Sequence, residues 1–233
     1  MQLFYCPSID EGDTFLSPEE SRHCAKSLRK QPGDIIHITD GKGNFYEGEL
    51  TDLNPKKCYF LPRSKSEAKR RDYYLHIAIS PTKNTDRLEW FIEKSVEIGI
   101  DKISFIQSGR SERKTINIER IRKKAISAMK QSIRAYLPEI RPLEKFSSII
   151  ENSDEDEKIV AHLEEKEAKH LLDLSSPSKS YLVLIGPEGG FTDHEISLAK
   201  EHGFLAAKMG SYRLRTETAG IVACSTINNL QRL

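Results

Sequence analysis

A chain of 233 residues is long for one ordinary domain and short for three, which leaves one large domain or two unequal ones. Its 36 Lys and Arg against 35 Asp and Glu give a net charge of +1, excluding a uniformly basic histone-like chain and a uniformly acidic tail. At 37% hydrophobic and 30% charged residues the composition is that of a soluble globular protein.

No stretch approaches the roughly 18 apolar residues of a membrane helix, so no membrane partner is expected. Met1–Pro7 lacks a basic region followed by an apolar one, which argues against a secretory signal. Cys6, Cys24, Cys58 and Cys224 are far apart and form no CxxC pair. Reduced thiols and a cytoplasmic setting are therefore expected, with no metal site.

Taken in chain order, the first 62 residues read as short strands and one helix. Gln2–Cys6 is a strand. Ser17-Pro18-Glu19-Glu20 is a helix start, with a serine cap and proline at the first helical position. That helix ends near Lys30, before Pro32-Gly33. Asp34–Thr39, Asn44–Leu50 and Lys57–Leu61 are further strands, with Asp40-Gly41 and Lys42-Gly43-Asn44 supplying turns. Together they predict a small barrel of about 65 residues.

Ser64–Asp72 is polar without periodicity and reads as a linker, with the domain boundary at 68/69. After it the rhythm becomes strand, helix, strand. Tyr73–Ser80 is an apolar strand containing His76, read as a packed or edge residue. Asp86–Ile98 is an amphipathic helix closed by Gly99, with Trp90 assigned to the core. Lys102–Gln107 is a strand, and Asn117 caps a helix that ends before Pro138. Lys158–Leu163 and Tyr181–Ile185 are strands, Thr192–Glu195 is a capping box, Ala206–Met209 is a strand and Thr216–Gln231 a helix. This alternation over residues 69–233 predicts an α/β domain with a parallel sheet.

Charge is unevenly distributed along this order. Residues 63–71 hold five basic residues against one acidic, and residues 110–141 hold ten against three. Residues 151–167 hold eight acidic against two basic. Such blocks are either solvated helix faces or a phosphate-binding face set apart from an acidic one.

Two segments carry chemistry. Leu184-Ile185-Gly186-Pro187-Glu188-Gly189-Gly190-Phe191-Thr192 runs from a strand through three glycines into a capped helix. Glycines let a backbone approach a ligand closely, and loops at the carboxyl ends of parallel strands are where α/β proteins bind ligands. The spacing is neither GxGxxG nor GxxxxGK[ST], and a plain strand-to-helix connection is equally consistent with it. The second segment is Met209-Gly210-Ser211-Tyr212-Arg213-Leu214-Arg215-Thr216-Glu217-Thr218-Ala219. Thr216 is expected to cap the following helix, with Glu217 at its positive end. Capping leaves the two arginines flanking Leu214 unexplained.

The pair, GPEGGFT followed about 20 residues later by LRTETA, resembles the SPOUT class of RNA methyltransferases. In particular it resembles the family that methylates N3 of a uridine in 16S ribosomal RNA, commonly called RsmE. The similarity extends to Arg22–Arg29 with Pro32-Gly33-Asp34, to Lys83 and Glu89–Gly99, to Ser111-Glu112-Arg113, and to Gln131-Ser132 before Leu137-Pro138-Glu139. It covers nearly the whole chain. Arg213 stands where many relatives have an aliphatic residue. Ala128-Met129-Lys130 stands where they often have Glu-Ala-x-Glu, so no role for an acid there is carried over.

The resemblance implies a PUA-like RNA-binding β-barrel over residues 1–68. Over residues 69–233 it implies a SPOUT domain whose C-terminal part forms a trefoil knot. It implies S-adenosyl-L-methionine as cofactor, a homodimer, and 16S rRNA or the small ribosomal subunit as partner. Carried onto this sequence, the cofactor residues are His162, Leu163 and Glu164; Gly186, Pro187, Glu188, Gly189 and Gly190; and Met209, Gly210, Leu214, Arg215, Thr216, Glu217 and Thr218. Uracil N3 is protonated and nucleophilic only once that proton is lost. A site helps by removing the proton or by stabilising the charge left on the base. Arg215 is expected to stabilise that charge or to bind the target phosphate, and Glu188 and Glu217 to orient groups or accept the proton. Arg22, His23, Arg29, Lys83, Arg110, Arg113 and Lys114 are candidate RNA contacts. Two other functions fit less of the sequence: an RNA-binding or assembly protein without turnover, and a SPOUT enzyme acting on ribose 2′-oxygen.

Overall fold

The computed structural model describes residues 2–162 and 168–231. Its contacts define two units. One runs to Arg70 and takes in Ile126–Leu137; the other holds Arg71–Ala125 and the chain from Pro138 on. The sequence places 126–137 in the second domain. In the structure, backbone pairing assigns it to the first, because Gly43 N–H donates to the Ala135 carbonyl and Leu137 N–H to that of Gly41. The Lys130 ammonium also meets the buried Glu20 carboxylate.

In the first unit, β1 (Leu3–Tyr5) runs parallel to β2 (Ile35–Thr39), and β3 (Asn44–Asp52) and β4 (Tyr59–Glu67) follow antiparallel in the order β1-β2-β3-β4. Helix α1 (Pro18–Arg22) starts where expected, with the Ser17 hydroxyl accepting from Glu20 N–H, and passes into a wider turn at His23–Ser27. Ile36 and Ile38 point inward with Phe4, Leu16, Leu50 and Phe60 to form the core. Phe15 bridges to Tyr59 at one edge, while the Cys6 thiol just after β1 donates to the Phe15 carbonyl, so the sheet curls around that core.

Strand β4 runs on through residues read as linker. Ser64, Lys65, Ser66 and Glu67 pair with Glu47, Tyr46, Phe45 and Asn44. Their side chains are exposed, so backbone pairing is the main tie, helped by a bond from the Ser64 hydroxyl to Glu47, and no apolar alternation marks the strand. All four cysteines are buried free thiols. Burial pushes the Cys6 thiol up to about 11 and the Cys24 thiol up to about 12, far from the thiolate form.

The second unit is a seven-stranded parallel sheet. In chain order its elements are β5 (Tyr74–Ile79), α2 (Thr85–Ile98), β6 (Lys102–Gln107), the part of α3 (Ile118–Gln131) up to Ala125, β7 (Glu139–Lys145), α4 (Phe146–Glu151), β8 (Glu157–Ala161), β9 (Lys169–His170), α5 (Leu171–Leu174), β10 (Ser180–Ile185), α6 (Asp193–Glu201), β11 (Leu205–Lys208) and α7 (Thr216–Leu230). The strand order is β7-β6-β5-β10-β8-β11-β9. The middle strands are covered on both faces, which is why β5 and β10 read as unbroken apolar runs. The outer strand β7 and the short helix α4 were not foreseen. Helix α2 buries Leu88, Phe91, Ile92 and Val96, whereas Trp90 projects from another face and is 43% exposed, contrary to its assignment to the core.

Much of the basic block at 110–141 is paired, while Lys114, Arg122 and Lys123 are exposed. Arg120 meets Glu89, Lys124 meets Glu93, Lys130 meets Glu20, and Arg141 meets Glu139 and Glu144. Arg110 and Arg113 bond backbone carbonyls.

His76 lies buried in β5. Its Nδ1 is 2.7 Å from Glu155 Oε1 and its Nε2 2.8 Å from Ser104 Oγ. Burial lowers the His76 pKa from its ordinary 6.5, against the opposing pull of Glu155. The neutral ring therefore donates from Nδ1 to the carboxylate and accepts from the serine hydroxyl at Nε2. For Glu155, burial is the largest single influence and opposes charge, but the contact with His76, its own backbone N–H and the charge of Lys102 together hold the carboxyl below its ordinary 4.5.

Both shifts act in the same direction on stability. The unfolded chain takes up the His76 proton first as pH drops through 6.5, and the Glu155 proton first below 4.5. Resistance to urea is therefore expected to be full near pH 8 and to decline progressively below 6.5. The His76→Gln variant is expected to have a flatter profile between pH 7 and 5. Equal pH slopes in the two proteins would contradict this assignment.

Candidate active site

The glycine segment leaves the carboxyl end of the central strand β10. Phe191 folds back and is buried against Phe146, with ring centroids 5.2 Å apart. Gly190 adopts φ +70°, a conformation that L side chains rarely take, and its N–H closes a tight turn on the Pro187 carbonyl. The predicted capping box is present. Thr192 Oγ1 accepts from Glu195 N–H, and Glu195 Oε2 accepts from Thr192 N–H. The second carboxylate oxygen of Glu195 accepts from Gly109 N–H at 2.8 Å, which also fixes the loop after β6.

Two more chain segments converge on this loop. His162, just after β8, donates its N–H to the Ala207 carbonyl of β11. The segment after β11 leads into α7, where Thr216 departs from its expected role. The cap position falls on Arg215, in extended backbone at φ −71° and ψ 155°, with no side-chain cap. Thr216 is one residue too late to cap, and its hydroxyl donates instead to the Gly186 carbonyl at 3.0 Å. That bond fastens α7 to the glycine loop.

Arginines fasten it further. Arg213 donates to the Glu188 carbonyl at 2.8 Å. Arg110 donates to the carbonyls of Gly189 (2.9 Å) and Phe191 (3.2 Å). In the sequence Arg213 stands out as one of two arginines flanking Leu214 and as a departure from its relatives, and Arg110 as a candidate RNA contact. Both carry out loop-clamping, which composition could not reveal because the acceptors are backbone atoms.

The cleft thus formed is lined by His162, Gly186, Pro187, Glu188, Gly189, Gly190, Met209, Gly210, Leu214 and Thr216, all expected there. Ile185, Phe191, Ala207 and Ala219 add apolar wall. Leu163 and Glu164 lie outside the described residues. Arg215, Glu217 and Thr218 are not on the lining. Arg215 is exposed, and among the described residues its guanidinium has no hydrogen bond or ion pair. Glu217 is buried, with Oε1 3.7 Å from Arg87 Nε and Oε2 without a hydrogen-bond partner among the described residues.

Of the candidate RNA contacts near the cleft, Arg113 donates to the Lys83 carbonyl at 2.8 Å and Lys83 pairs with Glu112 at 3.0 Å, while Lys114 is exposed. In the first unit Arg22 is exposed, His23 is half-buried beside Gln2 and Phe4, and Arg29 is exposed with φ +52°.

This donor set suits S-adenosylmethionine. The apolar walls match an adenosyl group, and the glycine loops present backbone polar groups with no side chain in the way. A Cβ at Gly190 would meet nothing within 4 Å, and one at Gly210 only Leu214 Cδ1 at 3.9 Å. A side chain at either position would take up cleft volume.

Residues 69–228 match the family model for an RNA methyltransferase domain, and residues 16–62 that for an RNA methyltransferase PUA domain. A probable rRNA-methyltransferase from Porphyromonas gingivalis superposes with a TM-score of 0.95 at 38% identity, over 100% of this chain and 99% of that one. The ribosomal RNA small subunit methyltransferase E of Neisseria gonorrhoeae, solved bound to S-adenosyl methionine, superposes with a TM-score of 0.86 at 28% identity, over 99% and 98%. The protein of that name from Buchnera aphidicola is 30% identical over 224 residues, 93% of this chain and 87% of the relative. A parallel sheet with glycine loops at its carboxyl ends, in one chain with a PUA domain, defines an RNA methyltransferase. The chain belongs to the ribosomal RNA small subunit methyltransferase E family.

Proposed function

We propose that this protein methylates N3 of a specific uridine in 16S ribosomal RNA of the small subunit, using S-adenosyl-L-methionine. It acts as a cytoplasmic homodimer, with its C-terminal segment drawn into a trefoil knot. The observation that carries the reading is the convergence of the segments after β8, β10 and β11 on one cleft, held by Thr216 and two arginines. No helix among the described residues is long and apolar enough to cross a membrane.

The cofactor, when bound, supplies a methyl group made electrophilic by its sulfonium. His162 and the backbone of Gly186–Gly190 and Met209–Gly210 hold it, with Leu214 against its apolar part. Arg215, exposed beside the start of α7 and without an ion pair among the described residues, binds the target nucleotide's phosphate. Glu188, in the cleft wall, takes the N3 proton.

The test supplies labelled cofactor and this protein to small subunits from a strain lacking the modification, then digests the RNA for mass spectrometry. The expected product is 3-methyluridine. Label on a ribose, or none at all, would sink the reading. Sedimentation is expected to give twice the chain mass, and a monomer would remove the dimer.

A further inference from the structure

Beside the cofactor cleft lies a second pocket, lined by Lys83, Asn84, Arg87, Glu112 and Glu188. Glu188 belongs to both. Arg87 was not singled out in the sequence. We propose that Arg87 is a substrate-contacting residue which, with Glu188, holds the imide edge of the target uracil, and that Glu217 positions it. This rests on the methyltransferase reading above.

Arg87 stands in the first turn of α2, its side chain 41% exposed. Its Nε is 3.7 Å from Glu217 Oε1, a Coulombic contact too long for a hydrogen bond. Glu217 is buried in the first turn of α7, and its Oε2 has no hydrogen-bond partner among the described residues. Burying a carboxylate so poorly bonded is unfavourable unless a cation offsets it, and Arg87 is that cation. Among the described residues Arg87 donates no hydrogen bond, so its planar fork of N–H groups is available to a ligand while Glu217 orients it from the other side.

Charge decides what that ligand is. Lys83 is matched by Glu112 at 3.0 Å, and Arg87 shares the pocket with Glu188. Two cations and two carboxylates give no net attraction for a phosphate, which has only acceptors and is repelled by both acids. Uracil differs. Its imide edge runs acceptor, donor, acceptor through O2, N3–H and O4, and needs a protein donor next to a protein acceptor. Arg87 is such a donor. Glu188 is the acceptor: its Oε1 takes the Lys83 N–H at 3.3 Å, and its Oε2 has no hydrogen bond among the described residues.

The proton balance follows. The N3–H bond breaks, the proton passes to the Glu188 carboxylate and then to water, and the electron pair stays on the ring. The negative charge spreads to the carbonyl oxygens, and an Arg87 N–H on one of them stabilises it more than it stabilises neutral uracil. The ring pair then forms the N3–carbon bond while the donor's sulfur keeps the pair of the bond it loses.

The experiment measures single-turnover methylation of unmodified small subunits from pH 6 to 10 for the wild type, Arg87→Gln, Arg87→Lys and Glu217→Gln. Cofactor affinity is followed by calorimetry and subunit affinity by filter binding. Arg87→Gln is expected to slow the step about a hundredfold near neutral pH. The deficit should shrink as rising pH ionises uracil unaided, and both affinities should stay within about threefold of wild type. Arg87→Lys should recover part of the rate, and Glu217→Gln should show a smaller loss with the same pH signature. A deficit equal at every pH, a change confined to subunit affinity, or a rate within threefold of wild type would each overturn the proposal. A wild-type protein that binds cofactor yet methylates nothing would instead remove the functional reading beneath it.

Discussion

Replacing Arg215 by alanine is expected to lower kcat/KM for small subunits by about 10²–10³-fold and to leave cofactor affinity within about threefold of wild type. The argument begins with position. Arg215 is the cap residue of α7, exposed, and its guanidinium bonds nothing among the described residues. It therefore does little for the fold, and removing it leaves no buried charge. Its backbone is fixed, because Thr216 is bonded to Gly186 and the Arg215 carbonyl accepts from Ala219 N–H at 2.8 Å. A cation fixed at its base and free at its head contributes only when an anion arrives. For an RNA enzyme the anion is a phosphate, and the gain is placement of the base, where an error of about 1 Å costs about a hundredfold. Salt sharpens the distinction from Arg87. Loss of a phosphate contact reduces the salt dependence of subunit binding, whereas loss of a contact to uracil leaves that slope unchanged. An Arg215→Ala protein with normal turnover, or one that has lost cofactor affinity, removes the residue from this role.

Much of the scaffold was legible because it obeys local rules. Ser17, Asn117 and Thr192 cap helices where their side chains can reach the next turn's N–H groups, and the buried strands β5, β6 and β10 announce themselves as apolar runs. What was missed lacks such a signal. The outer strand β7 carries Glu139, Arg141, Pro142, Glu144 and Lys145, because an edge strand tolerates charge and proline that a central strand does not. The tail of β4 is held by backbone pairing with its side chains in water.

The same division runs through the site. The glycine loop and LRTETA were visible as composition. The hydroxyl of Thr216, the two clamping arginines and the Arg87–Glu217 contact join residues 30, 79, 25 and 130 positions apart in sequence. Only the placement of β5, β6, β10 and β11 in one sheet brings them together. Spacing along the chain therefore identified the loops that form the cleft, but not the side chains that hold those loops in place.

Gly220 tests whether that placement is as tightly packed as it looks. A glycine inside a helix ordinarily weakens it, so Gly220→Ala in α7 would be expected to gain up to about 1 kcal/mol from helix propensity. Here the opposite result is expected. A Cβ at Gly220 would stand 2.5 Å from Phe91 Cε2, 2.8 Å from its Cδ2 and 3.3 Å from Ile79 Cδ1. Phe91 and Ile79 are both fully buried, so neither side chain has solvent to move into, and relief requires α7 to move away from α2 and β5. Overpacking of this kind costs about 1–3 kcal/mol, and at 2.5 Å the upper end applies, so the clash outweighs the propensity gain. Gly220→Ala should unfold at lower denaturant by about 1–2 kcal/mol net, and Gly220→Val, bulkier and β-branched, by more. Because α7 begins at the bond between Thr216 and Gly186, the same displacement should weaken cofactor binding in a folded variant. Phe91→Leu combined with Gly220→Ala should restore part of both losses, since a smaller side chain makes room for the new methyl group. A Gly220→Ala protein more stable than wild type would show that α7 has freedom to shift, and that the glycine is not required by contact with Phe91.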